Sequence, residues 1–200
     1  LPEVAQIGDT KYTSLQAAEN GAKDGDTIVL LDDIVLDGKV TFFNSASARM
    51  VTLDMNGKTI TLNKNWDSVN DPCAFWVCDG LKITGKGTIN AAPEGDAWAY
   101  AFSVGHRTAG TTAGNAGNLV IENGTFYSDD ASVVSVTNGT VTINGGTFEA
   151  AGDLDLNCID DMYAADKANI TVKGGTFTGF DPSGAMTDDT IPEGGTNPVN

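Results

Sequence analysis

The groups best able to do chemistry in this 200-residue chain are carboxylates and one basic pair. Asp153, Asp155 and Asn157 alternate in sequence, and Asp160 and Asp161 follow closely. Oxygen ligands at such spacing are what a calcium ion asks for, so Asp153, Asp155 and Asp160 are the metal candidates. The match to a calcium-binding helix–loop–helix fails, because Ala164 stands where a bidentate acid is required. Calcium is therefore the one cofactor the residues leave open, and the reading expects none. Asp160 and Asp161 are also the best placed of four adjacent aspartate pairs, the others being Asp32-Asp33, Asp129-Asp130 and Asp188-Asp189. Two carboxylates flanking a glycosidic bond act as acid and base. With His106 and Arg107 as proton carrier and cation, Asp160 and Asp161 form the catalytic set if the chain is an enzyme. Neighbouring strand residues point to opposite faces, however, so such a pair becomes a dyad only where the backbone turns.

Aromatic side chains offer a second kind of chemistry, the stacking of sugar rings. Trp66 in NKNWDSVND, and Trp98 and Tyr100 in EGDAWAY, sit among polar turn residues and are the ligand-binding candidates, whereas Trp76 in CAFWVC reads as core. The Gly-, Ala- and Thr-rich stretch from Thr108 to Asn118 reads as a long loop, a common place for binding.

Composition narrows the partners. A formal charge of −16 repels nucleic acid and anionic membrane alike, and with only two arginines, Arg49 and Arg107, a polyanion would be poorly held. No apolar run approaches the roughly 18 residues of a membrane span, and LPEVAQIGDT lacks the basic and apolar regions of a signal peptide. Cys73, Cys78 and Cys158 read as buried thiols, and one histidine without a CxxC falls short of the ligand set of a zinc site.

These groups must be positioned by a repeat. LDMNGKTI (53–60), LVIENGTF (119–126), VTINGGTF (141–148) and ITVKGGTF (170–177) share one pattern, and LKITGKGTI (81–89) is the same unit with an insertion. Their threonines, Thr59, Thr88, Thr125, Thr147 and Thr176, lie 29, 37, 22 and 29 residues apart, room for several short strands per repeat. One unit cannot bury its own apolar face. Stacked in parallel, the units place Leu119 on Val141, Ile121 on Ile143 on Val172, and Phe126 on Phe148 on Phe177, inside a solenoid. A β-sandwich would also have short strands, but it does not require one octet to recur. Only the start reads as helical. Thr13 and Gln16 form a capping box over a short helix at 13–22, with strand-bearing coils from 27 to 180 and an irregular tail from 181 to 200. The turn-rich ending suggests that the native chain continues.

IGDTKYTSLQAAENGAKDGDTIVLLDDI (7–34), the repeated GGTF units and GGTFTGFDPSG (174–184) together resemble a right-handed parallel β-helix module of secreted or surface proteins of gut bacteria and of virion proteins of their phages. The similarity covers most of the chain. It implies one all-β domain over residues 1–200 whose opening helix caps the first coil, and an extracellular scaffold or adhesive body located on a cell surface or virion. Partners would be glycans or its own subunits, for instance in a trimer. The same fold houses pectate lyases and polygalacturonases, so an enzyme acting on an acidic glycan is the alternative. Hydrolases of that kind carry Gly-His-Gly and Arg-x-Lys, whereas this chain has Gly105-His106-Arg107 and no Arg-x-Lys.

Overall fold

The computed structural model describes residues 1–44, 48–130 and 132–182; Asp188-Asp189 and most of the expected tail lie outside them. The fold is mostly β. A hairpin of β1 (Ala5–Ile7) and β2 (Thr10–Tyr12) leads to helix α1 (Leu15–Gly21). Strands then follow in threes: β3 (Thr27–Leu30), β4 (Ile34–Leu36) and β5 (Val40–Phe42); β6 (Met50–Asp54), β7 (Thr59–Leu62) and β8 (Cys73–Val77); β9 (Gly80–Thr84), β10 (Thr88–Ala91) and β11 (Tyr100–Val104). Two further rounds are β12 (Gly117–Ile121), β13 (Thr125–Ser128) and β14 (Val134–Val136), then β15 (Gly139–Ile143), β16 (Thr147–Ala150) and β17 (Leu156–Cys158). Helix α2 (Asp160–Ala164), β18 (Ala168–Val172) and β19 (Thr176–Phe177) complete the described chain.

Every third strand pairs in parallel, which sorts the chain into three sheets. The first runs β18-β15-β12-β9-β6-β3 and continues into the antiparallel β1-β2 hairpin; the second runs β19-β16-β13-β10-β7-β4 and the third β17-β14-β11-β8-β5. The repeat threonines stand in one row across the second sheet. The three stacks expected from sequence are observed, Leu119 beside Val141, Ile121 beside Ile143 beside Val172, and Phe126 beside Phe148 beside Phe177. Rings continue the phenylalanine row into the third sheet. Phe42, Phe75, Phe102, Phe126, Phe148 and Phe177 follow one another with centroids 5.0–5.7 Å apart, within the range at which aromatic pairs add to plain burial.

Register corrects one alignment. Leu53 pairs with Ile83 and Val51 with Leu81, so Met55 lies past the strand ladder. Asn56 and Gly57, both at positive φ (47° and 74°), make a longer turn there, and Met55 is tucked beneath it with no exposure. A tighter constraint holds Gly139, where φ is +110° and an added Cβ would stand 1.9 Å from the Gly117 carbonyl oxygen of the adjacent strand. Only glycine lets the two backbones approach so closely.

Helix α1 closes one end of the stack. Its cap is Ser14, whose hydroxyl accepts from Ala17 N at 3.1 Å, in place of the expected Thr13. Gln16 is thereby free to act on a sheet edge: its amide nitrogen donates to Thr41 O at 3.1 Å and its oxygen accepts from Thr41 N at 2.8 Å. A side-chain amide thus completes the hydrogen bonding of β5, the outermost strand of the third sheet, and blocks further strand addition at that point. Among the described residues no helix is long and apolar enough to cross a membrane.

Candidate functional site

On the outer face of the third sheet, alternation does what composition concealed. Phe75 and Val77 point into the core, so Trp76 between them must point outward. It is half-buried instead of core, which corrects the expectation. Its indole N–H donates to Gly105 O at 3.0 Å, His106 meets the ring edge-on at a centroid distance of 5.8 Å, and Lys39 Nζ lies 5.7 Å from the ring centroid. Thr41, Trp76, Ser103, Ser135 and Asn157 occupy one register across the five strands. Beside Trp76 is a hollow of about 230 Å³ bordered by Lys39, Val69, Asn70, Pro72 and Ser103. Its outer wall is the insertion between β7 and β8, and Val69 there is 88% exposed.

The three aromatic candidates separate. Trp66 is buried, because the polar residues around it satisfy one another and fold the loop over the ring: Asp67 accepts from the Val69 and Asn70 backbone, and Trp66 Nε1 donates to Asp71 O at 2.7 Å. An exposed platform at Trp66 is therefore ruled out. Trp98 is 39% exposed and meets Tyr100 edge-on at 6.0 Å. The pair lies next to the same insertion, since Trp98 N donates to Ser68 Oγ at 2.7 Å.

The catalytic candidates are brought partly together. Arg107 is ion-paired with Asp161 across 54 positions of sequence, and the guanidinium holds the Asp161 carboxyl below the usual carboxylate range. Such a group is a poor proton donor at neutral pH. Asp160 and Asp161 open the short helix α2, where consecutive residues diverge around the axis and do not form a dyad. His106 faces Trp76 instead. The stretch from Thr108 to Asn115 folds back on itself through His106 N to Asn115 O and Thr108 N to Ala113 O, at 2.8 and 2.7 Å.

The metal candidates are not gathered. Asp153 is exposed, while Asp155 turns inward and is 1% exposed. Among the described residues no three His, Cys, Asp or Glu side chains are grouped to hold an ion. Asp155 has a structural consequence instead. Its Oδ1 accepts from Ala150 N at 2.8 Å, its Oδ2 is buried without a hydrogen bond, and burial pushes its carboxyl up from 3.8 to about 6. A carboxyl that holds its proton more tightly in the fold than in the unfolded chain adds stability below pH 3.8, and that contribution is lost as pH rises through about 6. Asp155→Asn is expected to flatten this slope. Its melting temperature should gain on the parent near pH 7 and match it near pH 4; an unchanged difference at the two pH values would count against the assignment.

Burial pushes the thiols of Cys73 and Cys158 up to about 12 and that of Cys78 up to about 11. All three are free and buried. Iodoacetamide is expected to leave them unmodified in the folded chain and to alkylate all three in denaturant, read by mass spectrometry; rapid modification of the native chain would show an accessible thiolate.

A more open groove of about 680 Å³ passes Arg49, Asp79 and Asn115, but its guanidinium is already bonded to Asp79 and Glu19. The hollow at Trp76 is thus the better candidate for a ligand. No family model, no curated protein and no solved structure matches the chain.

Proposed function

We propose that the chain is a right-handed parallel β-helix, a single domain over residues 1–200 whose rounds of three strands are its coils, and that it works as a non-enzymatic extracellular body of a cell-surface or virion protein. It holds glycans or further copies of itself and does not cut what it holds. The observation that carries this reading is where the charged groups go. Arg49 and Arg107, the two guanidiniums, are both paired to carboxylates within the chain, and Asp155 is committed to the core. The repeat threonines and phenylalanines, by contrast, run in uninterrupted rows from one round to the next, the arrangement of a load-bearing rod.

A polysaccharide lyase or glycoside hydrolase acting on an acidic glycan is the competing reading, and the meeting of Arg107 with Asp161 is the observation in its favour. Electrophoresis through gels containing neutral polysaccharides, polygalacturonate or no polymer separates the two. A retaining body is slowed by a neutral polymer and leaves the gel matrix intact. Cleared zones in polygalacturonate, where the polymer has been cut, would overturn it.

A further inference from the structure

We propose that the hollow over Trp76 is a binding site for a neutral saccharide, taking one pyranose ring of a larger glycan; this rests on the glycan-holding reading above and gives it a place. A saccharide ring presents C–H groups on its face and hydroxyls at its rim, and it binds where a flat aromatic surface is bordered by polar groups. Trp76 supplies the surface. Lys39, Asn70 and Ser103 supply polar groups around it, with Val69 and Pro72 as the apolar part of the wall. The volume of about 230 Å³ falls below the range of roughly 300–1,000 Å³ that drug-sized ligands fill, which suits a single ring lodged in the hollow with the rest of the glycan outside it.

The site is also built before the ligand arrives. Trp76 stands on a strand paired on both sides, its N–H is anchored on Gly105 O and His106 packs against its edge. Little side-chain freedom remains to be lost on binding.

Charge selects the ligand. Lys39 Nζ, the cation over one face of the Trp76 ring, is 2.8 Å from Asp71 Oδ1 and 2.6 Å from Asn70 O. Its charge is met within the protein, and the chain carries −16 overall. A uronate therefore finds repulsion where a neutral sugar finds hydroxyl partners. Ser103 and Ser135 extend from Trp76 in the same register, strand by strand, as a polar track for the rest of the glycan.

The test titrates the folded chain with the methyl glycosides of glucose, galactose, mannose and N-acetylglucosamine, and separately with galacturonate and a short neutral peptide, while the indole N–H resonances are followed by NMR. Trp76→Ala, Trp76→Tyr and Tyr127→Ala are compared with the parent, Tyr127 being on the second sheet. One indole resonance, absent from Trp76→Ala, is expected to shift with at least one neutral glycoside. Affinity should fall about tenfold in Trp76→Ala, recover in part in Trp76→Tyr and stay unchanged in Tyr127→Ala. Circular dichroism checks each fold, and the tyrosine variant carries the comparison if the alanine variant does not fold. Neutral sugar bound equally well without Trp76 would overturn the site and leave glycan holding intact. Galacturonate or the peptide bound in preference, or no saccharide bound by the folded parent, would overturn the site; gel retardation by longer neutral polymers then decides the broader reading separately.

Discussion

Arg49→Met is expected to destabilise the fold by about 3–5 kcal/mol, the usual cost of removing one partner from a buried ion pair. Arg49 is 7% exposed and ties α1 to Asp79, between the second and third rounds. Its Nε donates to Asp79 Oδ2 at 3.0 Å, its Nη1 to Glu19 O at 3.1 Å and Ala22 O at 2.6 Å, and its Nη2 to Glu19 Oε1. The carbonyls belong to the last turn of α1 (Glu19) and to its C-cap residue (Ala22), so the guanidinium also serves as that helix's C-terminal partner. Burial raises the Glu19 carboxyl, with Arg49 the main opposing influence. Methionine fills much of the volume but leaves two buried carboxylates without their cation. Arg49→Lys should lie between parent and Met, since it restores charge without the fork of donors. Chemical denaturation measures both. A loss under about 1 kcal/mol for Met would mean that the network holds nothing.

Phe102→Ala is expected to cost a similar 3–5 kcal/mol, as large-to-small changes in packed cores do. Phe102 has no exposure and joins the two halves of the ring row, with centroids 5.7 Å from Phe75 and 5.3 Å from Phe126. Phe75 stands on the paired strand of the same sheet and Phe126 on a strand of the second sheet, and neither can close a cavity at the centre without breaking register. Phe102→Leu should cost far less, because most of the volume stays. For a chain of this length the alanine variant should melt on the order of 10 °C lower. Equal melting temperatures for alanine and parent would show that the row is not a continuous core.

The repeat was legible because it is written in side chains that must stack like on like. Threonines 22 to 37 residues apart do occupy one row, and the inserted lengths do leave as loops. The second round was misaligned because its turn carries two left-handed residues in succession, and Met55 fills the turn as though it were a strand residue. Helix capping slipped by one position since Thr13 and Ser14 are equivalent as caps, and only the need of Thr41 for a partner frees Gln16. Candidate sites were harder to read. Trp66 looked exposed because its neighbours are polar, yet those neighbours bond to one another and close over it. Trp76 looked buried because its neighbours are apolar, although strict alternation with Phe75 would have turned it outward. Local polarity misled in both cases, where strand parity would have decided. The Arg49 network joins residues 19, 49 and 79, and nothing in the spacing of those residues announces it.

Whether the chain leaves glycan uncut is tested most directly by the length of the polymer. Polygalacturonate and a neutral polysaccharide incubated for days with the parent and with Asp161→Asn would be sized by light scattering. Both polymers are expected to keep their mass with either protein if the proposed non-enzymatic reading holds. Shortening of either polymer by the parent, abolished in Asp161→Asn, would contradict the account and place an active site at Arg107 and Asp161.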